Sequence, residues 1–74
     1  LYECKVGQHN MLSPYVNCEN QHPMGPVGYA YTSKKAGTVA LYRCRVGSGS
    51  DHFVSVDPKC EKHTTESLLG YVLP

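Results

Sequence analysis

The chain has 74 residues, a net charge of +1 and four cysteines. A nucleic-acid-binding domain usually carries a basic stripe and a high isoelectric point, so this near-neutral charge argues against one. The chain also has no run of about 18 apolar residues, the length that a membrane span needs. We therefore predict neither a nucleic-acid partner nor a membrane span.

The four cysteines predict a disulfide framework, because their number is even and the chain is short. Zinc is the alternative, but it usually needs a close Cys-x2–4-Cys pair, and the cysteines lie at positions 4, 18, 44 and 60. Disulfides persist in oxidising compartments, so we predict an extracellular protein with no metal and no cofactor. Because the chain begins inside a predicted strand, we expect a mature chain or a module of a longer precursor.

The sequence contains an internal repeat. Leu1–Gly7 aligns with Leu41–Gly47, and five of the seven positions are identical. After a two-residue insertion the match continues at an offset of 42, where Gly28-Tyr29 meets Gly70-Tyr71. The boundaries that we predict are 1–32 for repeat one, 33–38 for a connector and 39–74 for repeat two, within a single domain of 1–74.

The repeat also favours one disulfide pairing. Duplicated units most simply carry one bridge each, which gives Cys4–Cys18 and Cys44–Cys60. Each bridge closes a loop of about 15 residues, worth about 3 kcal/mol in the chain-entropy model. The alternative is crossed pairing between the repeats through a swapped strand.

Each repeat is predicted to form about three short strands. The predicted strands are Leu1–Val6, Asn10–Tyr15 and Val27–Thr32 in repeat one, and Val39–Val46, His52–Val56 and Leu68–Leu73 in repeat two. We expect an open turn at Gly47–Ser50 and either one helical turn or a loop at Cys60–Ser67. The pattern predicts an all-β, disulfide-stapled, two-repeat sandwich or barrel-like domain with pseudo-two-fold symmetry.

Alternation along the first strand of repeat two predicts which side chains face the interior. Tyr42 and Val46 share a face with Cys44, whose sulfur should be buried, so we expect both to point inward. Arg43 and Arg45 should then point outward. Glu3 and Lys5 should do the same in repeat one.

The residues that could support catalysis do not form a convincing site. Asp51 beside His52 could orient the imidazole for acid–base or metal chemistry, but adjacent strand residues point to opposite faces. We favour a structural role, in which His52 caps the turn or packs beside Tyr42 and Asp51 is a turn residue. A metal site that joins His52 to His63 has no fixed spacing to support it, so we predict no metal ligand, no catalytic residue and no enzyme activity.

Two matched pairs of polar residues have both a catalytic and a structural interpretation. Glu19 and Glu61 could act as the two carboxylates of a glycosidase, or each could accept backbone N–H groups at a tight turn, which we favour. Ser13 and Ser55 could be nucleophiles, but Ser55 lies in a predicted strand without an exposing turn. We therefore interpret both serines as strand-packing residues.

Four of the six tyrosines, Tyr2, Tyr29, Tyr42 and Tyr71, are matched between the repeats. Matched tyrosines are typical of a core, but they can also line a shallow groove. Sugar sites often combine such rings with charged and amide groups. The predicted ligand-binding residues are Arg43, Arg45, Asp51, His52, Tyr42 and Tyr71.

Repeat two resembles an extracellular bacterial repeat family of unknown function. The similarity rests on Leu41-Tyr42-Arg43, on Asp51–Ser55 followed by Asp57, and on Leu69-Gly70-Tyr71. Members of that family occur as accessory repeats in secreted proteins, often beside hydrolases that act on polysaccharide or cell wall. The resemblance implies a secreted module that binds carbohydrate or cell envelope, and it implies no catalytic residue.

Together these features predict a secreted, non-catalytic, lectin-like module that binds a glycan or cell-wall polymer. The alternative is a small disulfide-rich inhibitor or effector that binds a protein or enzyme through an exposed loop at Pro14–Asn17. Because the repeats agree at predicted scaffold positions and differ at Arg43, Asp51 and His52, we expect the binding surface to lie where the repeats differ.

Overall fold

The computed structural model describes residues 1–47, 49 and 51–74, and this part of the chain is all-β, as predicted. Residues 48 and 50 of the expected turn at Gly47–Ser50 lie outside the described part. None of the described residues belongs to a helix long and apolar enough to cross a membrane. The strands are β1 (Tyr2–Val6), β2 (His9–Ser13), β3 (His22–Pro26), β4 (Val39–Arg45), β5 (His52–Ser55) and β6 (Thr64–Val72).

The strands form two antiparallel three-stranded sheets with the same topology, ordered β2-β1-β3 and β5-β4-β6. The registers also agree, since Cys4 lies opposite Met11 just as Cys44 lies opposite Phe53. Both central strands carry an irregularity in register directly before their cysteine. The two halves of the molecule are therefore similar in detail, which supports the sequence duplication.

Two disulfides fasten each sheet to the segment that crosses it. Cys4 bonds to Cys18 with a Cα–Cα distance of 5.7 Å, and Cys44 bonds to Cys60 with a distance of 5.6 Å. In each half the chain must pass from one edge of the sheet to the other, and the bridge joins that crossover to the central strand. The predicted pairing is confirmed, and the crossed alternative is wrong.

Each crossover contains a three-residue turn in the left-handed region of backbone space. The φ angles are 55°, 55° and 69° in Cys18–Asn20 and 51°, 53° and 75° in Cys60–Lys62. Such angles cost about 1–2 kcal/mol per non-glycine residue, so other contacts must hold the turns. The disulfides provide one, and side-chain caps provide another: Asn17 accepts a hydrogen bond from the Glu19 N–H, and Asp57 accepts one from the Glu61 N–H.

The interior is small and unusually polar. The Cα atoms extend 37 × 28 × 15 Å, which leaves room for little more than one layer of interior side chains. Among the described residues, the buried apolar group consists of the four half-cystines, Met11 and Leu69. The buried polar residues are Ser13, Thr38, Arg43 and Ser55.

The third strand of repeat one lies earlier than predicted. It occupies His22–Pro26 rather than Val27–Thr32, and its counterpart β6 likewise begins at Thr64 rather than Leu68. Strand β3 is not predicted from the sequence because its segment contains Pro23 and Pro26, and proline has no N–H to donate to a neighbouring strand. An edge strand tolerates proline where its N–H position faces away from the neighbouring strand, and β3 lies at such an edge.

The predicted alternation along β4 is wrong at two positions. Arg43 was expected to point outward, but it is only 7% exposed, whereas Val46 was expected inside and is 37% exposed. β4 shifts register against β6 between Leu41 and Tyr42 and again between Arg43 and Cys44. Such bulges re-aim side chains, and here two consecutive residues are buried on opposite sides of the strand.

The C-terminal segments of the two repeats cross each other. Tyr31 and Tyr71 form an antiparallel bridge in which each N–H donates to the other's carbonyl, at 2.8 and 2.9 Å. This bridge therefore joins the C-terminal segments of the two repeats.

Candidate functional site

The Arg43 side chain is the centre of a cluster of charged groups between the two repeats. Its Nη1 and Nη2 atoms donate to the Glu19 carboxylate at 2.7 and 3.1 Å, and Nη1 also donates to the Leu12 carbonyl at 3.1 Å. Its Nε donates to Glu66 Oε1 at 2.8 Å. A residue of repeat two thus clamps β2 and the first crossover of repeat one.

Glu66 extends this arrangement toward β5. Its Oε2 atom lies 3.1 Å from Nε2 of His52, whose side chain is only 6% exposed, and 3.7 Å from Nη1 of Arg45. On the other side, the Ser13 hydroxyl donates to Glu19 at 2.7 Å. We call Glu19, Arg43, His52 and Glu66 the charge cluster.

The charge cluster stabilises the ionised form of its carboxyl groups. The hydrogen bond from Arg43 lowers the pKa of Glu19, against a smaller opposing effect of burial. Partial burial opposes ionisation of Glu66, but its hydrogen bonds with His52 and Arg43 outweigh that effect and lower the pKa of Glu66 as well. The pKa of Arg43 is raised, chiefly by its bonds to Glu19.

These contacts correct one sequence-based expectation and agree with another. The Glu19 carboxylate accepts hydrogen bonds from Arg43 and Ser13, not from the backbone of its own turn, so its predicted role was wrong. Ser13 and Ser55 are buried, as their packing role predicts, and each accepts a backbone N–H from two residues further along the chain.

The structure brings only some of the predicted ligand-binding residues together. Arg43, Arg45 and His52 surround Glu66, whereas Asp51 is exposed beside His9, with a carboxylate–imidazole distance of 3.6 Å. Tyr42 is half-buried in β4 opposite Ser55. Tyr71 lies elsewhere, at the crossing of the two repeats.

The alternative of a metal site that joins His52 to His63 gains no support from the geometry. The ring of His63 contacts Phe53 edge-on, with centroids 5.4 Å apart, while His52 is bonded to Glu66. In the described part of the chain, no group of three His, Cys, Asp or Glu residues is arranged to hold a metal ion.

An open groove lies at the crossing of the two repeats. Its volume is about 420 Å³, and it is lined by Tyr29, Ala30, Tyr31, Tyr71, Val72 and Leu73. The Tyr29 side chain is 99% exposed, and Tyr31 and Leu73 are also exposed. We call this feature the tyrosine groove. Three phenol rings and three aliphatic side chains give it apolar walls with a hydroxyl on each ring.

Glycine at position 70 permits the close approach that forms one end of the tyrosine groove. Gly70 has φ of 151°, and a Cβ atom there would lie 2.9 Å from both the Ala30 Cβ and the Tyr31 carbonyl oxygen. Its repeat partner Gly28 has nothing within 4 Å. The crossing is therefore tight around Gly70 and open around Gly28, while Tyr71 is half-buried and its repeat partner Tyr29 is exposed.

Sequence reasoning missed most of the tyrosine groove and half of the charge cluster. Of the residues that line the groove, only Tyr71 is among the predicted ligand-binding residues, and its repeat partner Tyr29 is not. Glu66 aligns with Met24, so the repeat offered no signal for its role.

A second exposed feature is the loop at Pro14–Asn17, which precedes the first crossover turn. Tyr15 and Val16 are exposed there, and the loop is held by a Tyr15 N–H bond to the Ser13 hydroxyl and a Cys18 N–H bond to the Tyr15 carbonyl. The disulfide at Cys18 fixes its far end.

Comparison of the chain with protein-family models, with curated proteins and with solved structures finds no match. The resemblance of repeat two to the extracellular bacterial repeat family stays a prediction.

Proposed function

We propose that this chain is a secreted, non-catalytic, lectin-like module that binds a glycan or cell-wall polymer in its tyrosine groove. The observation that carries the proposal is the fully exposed Tyr29 ring beside Tyr31 and Tyr71. An exposed ring keeps a large apolar area hydrated. A ligand that covers the ring gains the free energy of removing this area from water.

Tyrosine suits this purpose for three reasons. Its ring presents a flat apolar face to the C–H face of a sugar, and its hydroxyl can exchange hydrogen bonds with sugar hydroxyls. It also loses little conformational entropy on binding, because it has only two side-chain torsions. A cleft of about 420 Å³ lies within the usual size range of small-ligand sites.

Two further observations support the other parts of the proposal. The acidic and basic groups that could act in catalysis are largely bonded to one another in the charge cluster, which favours a scaffold role for them. The two disulfides are compatible with an extracellular location, because such bonds persist in oxidising compartments.

The test is a binding panel on chitin, cellulose and peptidoglycan with matched tyrosine variants. Tyr29→Ala should weaken retention on the bound polymer by about tenfold, equal to about 1.4 kcal/mol. Tyr15→Ala removes another exposed tyrosine outside the tyrosine groove and should leave retention unchanged. Absence of retention on every polymer would contradict the proposal, and so would equal loss with both variants.

The second candidate function is inhibition of a protein target through the Pro14–Asn17 loop. The exposed Tyr15 and Val16 on a loop closed by Cys4–Cys18 favour it, because a preorganised loop loses little entropy when it binds. A panel of proteases and glycosidases tests it. Inhibition that is lost in Tyr15→Ala and kept in Tyr29→Ala would support this function over the first.

A further inference from the structure

We infer that the tyrosine groove holds one segment of an uncharged glycan per chain, although the chain has two repeats. This inference rests on the proposed function and adds to it the stoichiometry and the charge class of the ligand.

The stoichiometry follows from how the groove is built. Residues 29–31 come from repeat one and residues 71–73 come from repeat two, so neither repeat has a complete groove of its own. The antiparallel bridge between Tyr31 and Tyr71 holds the two segments side by side. The chain has one such crossing among its described residues, so a site built from both segments occurs once per molecule. A duplicated sequence would otherwise suggest two equivalent sites.

The charge class follows from the lining. All six residues of the groove are tyrosine or aliphatic, and none carries a charge. A carboxylate or sulfate group placed there would lose water without gaining a cation from the six lining side chains, which is costly. Arg43 is buried and bonded to Glu19 and Glu66, so its guanidinium is not available to an acidic ligand. The connector lysine Lys34 donates to the Thr38 carbonyl at 2.7 Å.

The two ends of the groove differ in their side chains, so a bound oligosaccharide should have one preferred orientation along it. Tyr31 occupies the position whose repeat partner is Leu73, so one end of the crossing offers a ring and the other an aliphatic side chain. The tight approach at Gly70 and the open space at Gly28 strengthen that difference.

The experiment is isothermal titration of the whole chain with chitohexaose and cellohexaose, which are neutral, and with hexagalacturonate, which is acidic. We expect a neutral oligomer to bind with a stoichiometry near one per chain. Its affinity should change by less than about twofold between low and high salt, because screening affects only charged pairs. Leu73→Ala should weaken this binding by a fewfold, while Val27→Ala, an exposed apolar control outside the lining, should not.

The possible failures are distinguishable. Two equivalents per chain, or binding of only the acidic oligomer with strong salt dependence, would overturn this inference and leave the carbohydrate-binding function standing. Neutral binding that is unchanged in both Tyr29→Ala and Leu73→Ala would overturn the assignment to the groove. No binding of any oligomer would overturn the inference and the proposed function together.

Discussion

The two repeats meet at the charge cluster and at the tyrosine groove, among other places, and these two differ in chemistry and exposure. At the charge cluster, Arg43 is buried and bonded across the interface to Glu19. At the tyrosine groove, the contact is a single backbone bridge beside the exposed ring of Tyr29. The first place is saturated with contacts inside the molecule, whereas the second leaves apolar area in water. The first therefore serves cohesion and the second is suited to a ligand.

A simple interpretation of the repeat places the scaffold at matched positions and the binding surface where the copies differ. The comparison of the charge cluster with the tyrosine groove favours the reverse. Arg43, which differs from its repeat partner Glu3, forms the ion pair with Glu19 that joins the halves, and Glu66, which differs from Met24, holds Arg43 from within repeat two. The matched pair Tyr29 and Tyr71 lines the open groove instead. A glutamate in place of Arg43, as at the matching position 3, would repel Glu19 rather than attract it.

The largest expected effect is loss of a disulfide, and the two bridges should not be equivalent. Replacing either pair with alanine removes about 3 kcal/mol of stability in the chain-entropy model. The pair Cys4 and Cys18 should cost more than Cys44 and Cys60, because Cys18 fixes the turn that carries Glu19 into the charge cluster. Thermal unfolding of the two double variants measures this. A larger loss from the second pair would contradict a special role for the first turn.

The next effect is loss of the clamp. Arg43→Met leaves Glu19 and Glu66 without their main partner, and we expect a loss of about 2 to 3 kcal/mol, less than for fully buried pairs because both carboxylates are partly exposed. Arg45→Met is the matched control, since that side chain is more exposed and reaches Glu66 only at 3.7 Å. Urea unfolding compares the two. Equal and small losses would mean that the charge cluster does not join the repeats.

A smaller loss should distinguish the two ends of the tyrosine groove. Gly70→Ala places a Cβ against Ala30 and Tyr31 at a positive φ, so we expect about 2 kcal/mol of destabilisation. Gly28→Ala adds a methyl group into open space and should change stability by less than about 0.5 kcal/mol. Similar melting temperatures for both variants would show that the crossing is not tight at Gly70.

Acidification should weaken the charge cluster and leave the tyrosine groove unaffected. The pKa values of Glu19 and Glu66 are lowered in the folded chain, so their contribution is complete above their ordinary pKa and is lost as pH falls through the lowered values. Unfolding free energy measured from neutral pH downward should therefore drop in the acidic range. Glu19→Gln should flatten that drop, and an unchanged slope in this variant would show that Glu19 does not contribute.

The smallest effect on stability should come from the proposed ligand platform. Tyr29→Ala removes a ring that is 99% exposed, so the melting temperature should stay close to that of the unaltered chain. Tyr71→Ala, from the half-buried repeat partner, should lower it. If Tyr29→Ala were as destabilising as Tyr71→Ala, the ring would have a packing role and its assignment as a binding surface would weaken.

The sequence was sufficient for the parts of the fold that the duplication controls. Matched cysteines predicted both bridges, and period-two patterning predicted β1, β2, β4 and β5 within a few residues. The sequence was insufficient where contacts between residues that are distant in the chain determine which side chains are buried. The alternation along the strand predicts that Arg43 is exposed. It does not reveal Glu19, the partner that lies 24 positions away in the chain. Pro23 and Pro26 conceal β3 because only an edge position makes them acceptable in a strand.

The central claim is that ligand contact occurs at the tyrosine groove and not at the charged residues of repeat two. Titration of the isotope-labelled chain with a neutral oligosaccharide, followed by amide chemical shifts, tests it most directly. We predict that the shifts concentrate at residues 29–31 and 71–73 and spare Arg45, Asp51 and His52. Shifts centred on those three residues, with the tyrosine segments unaffected, would contradict the account.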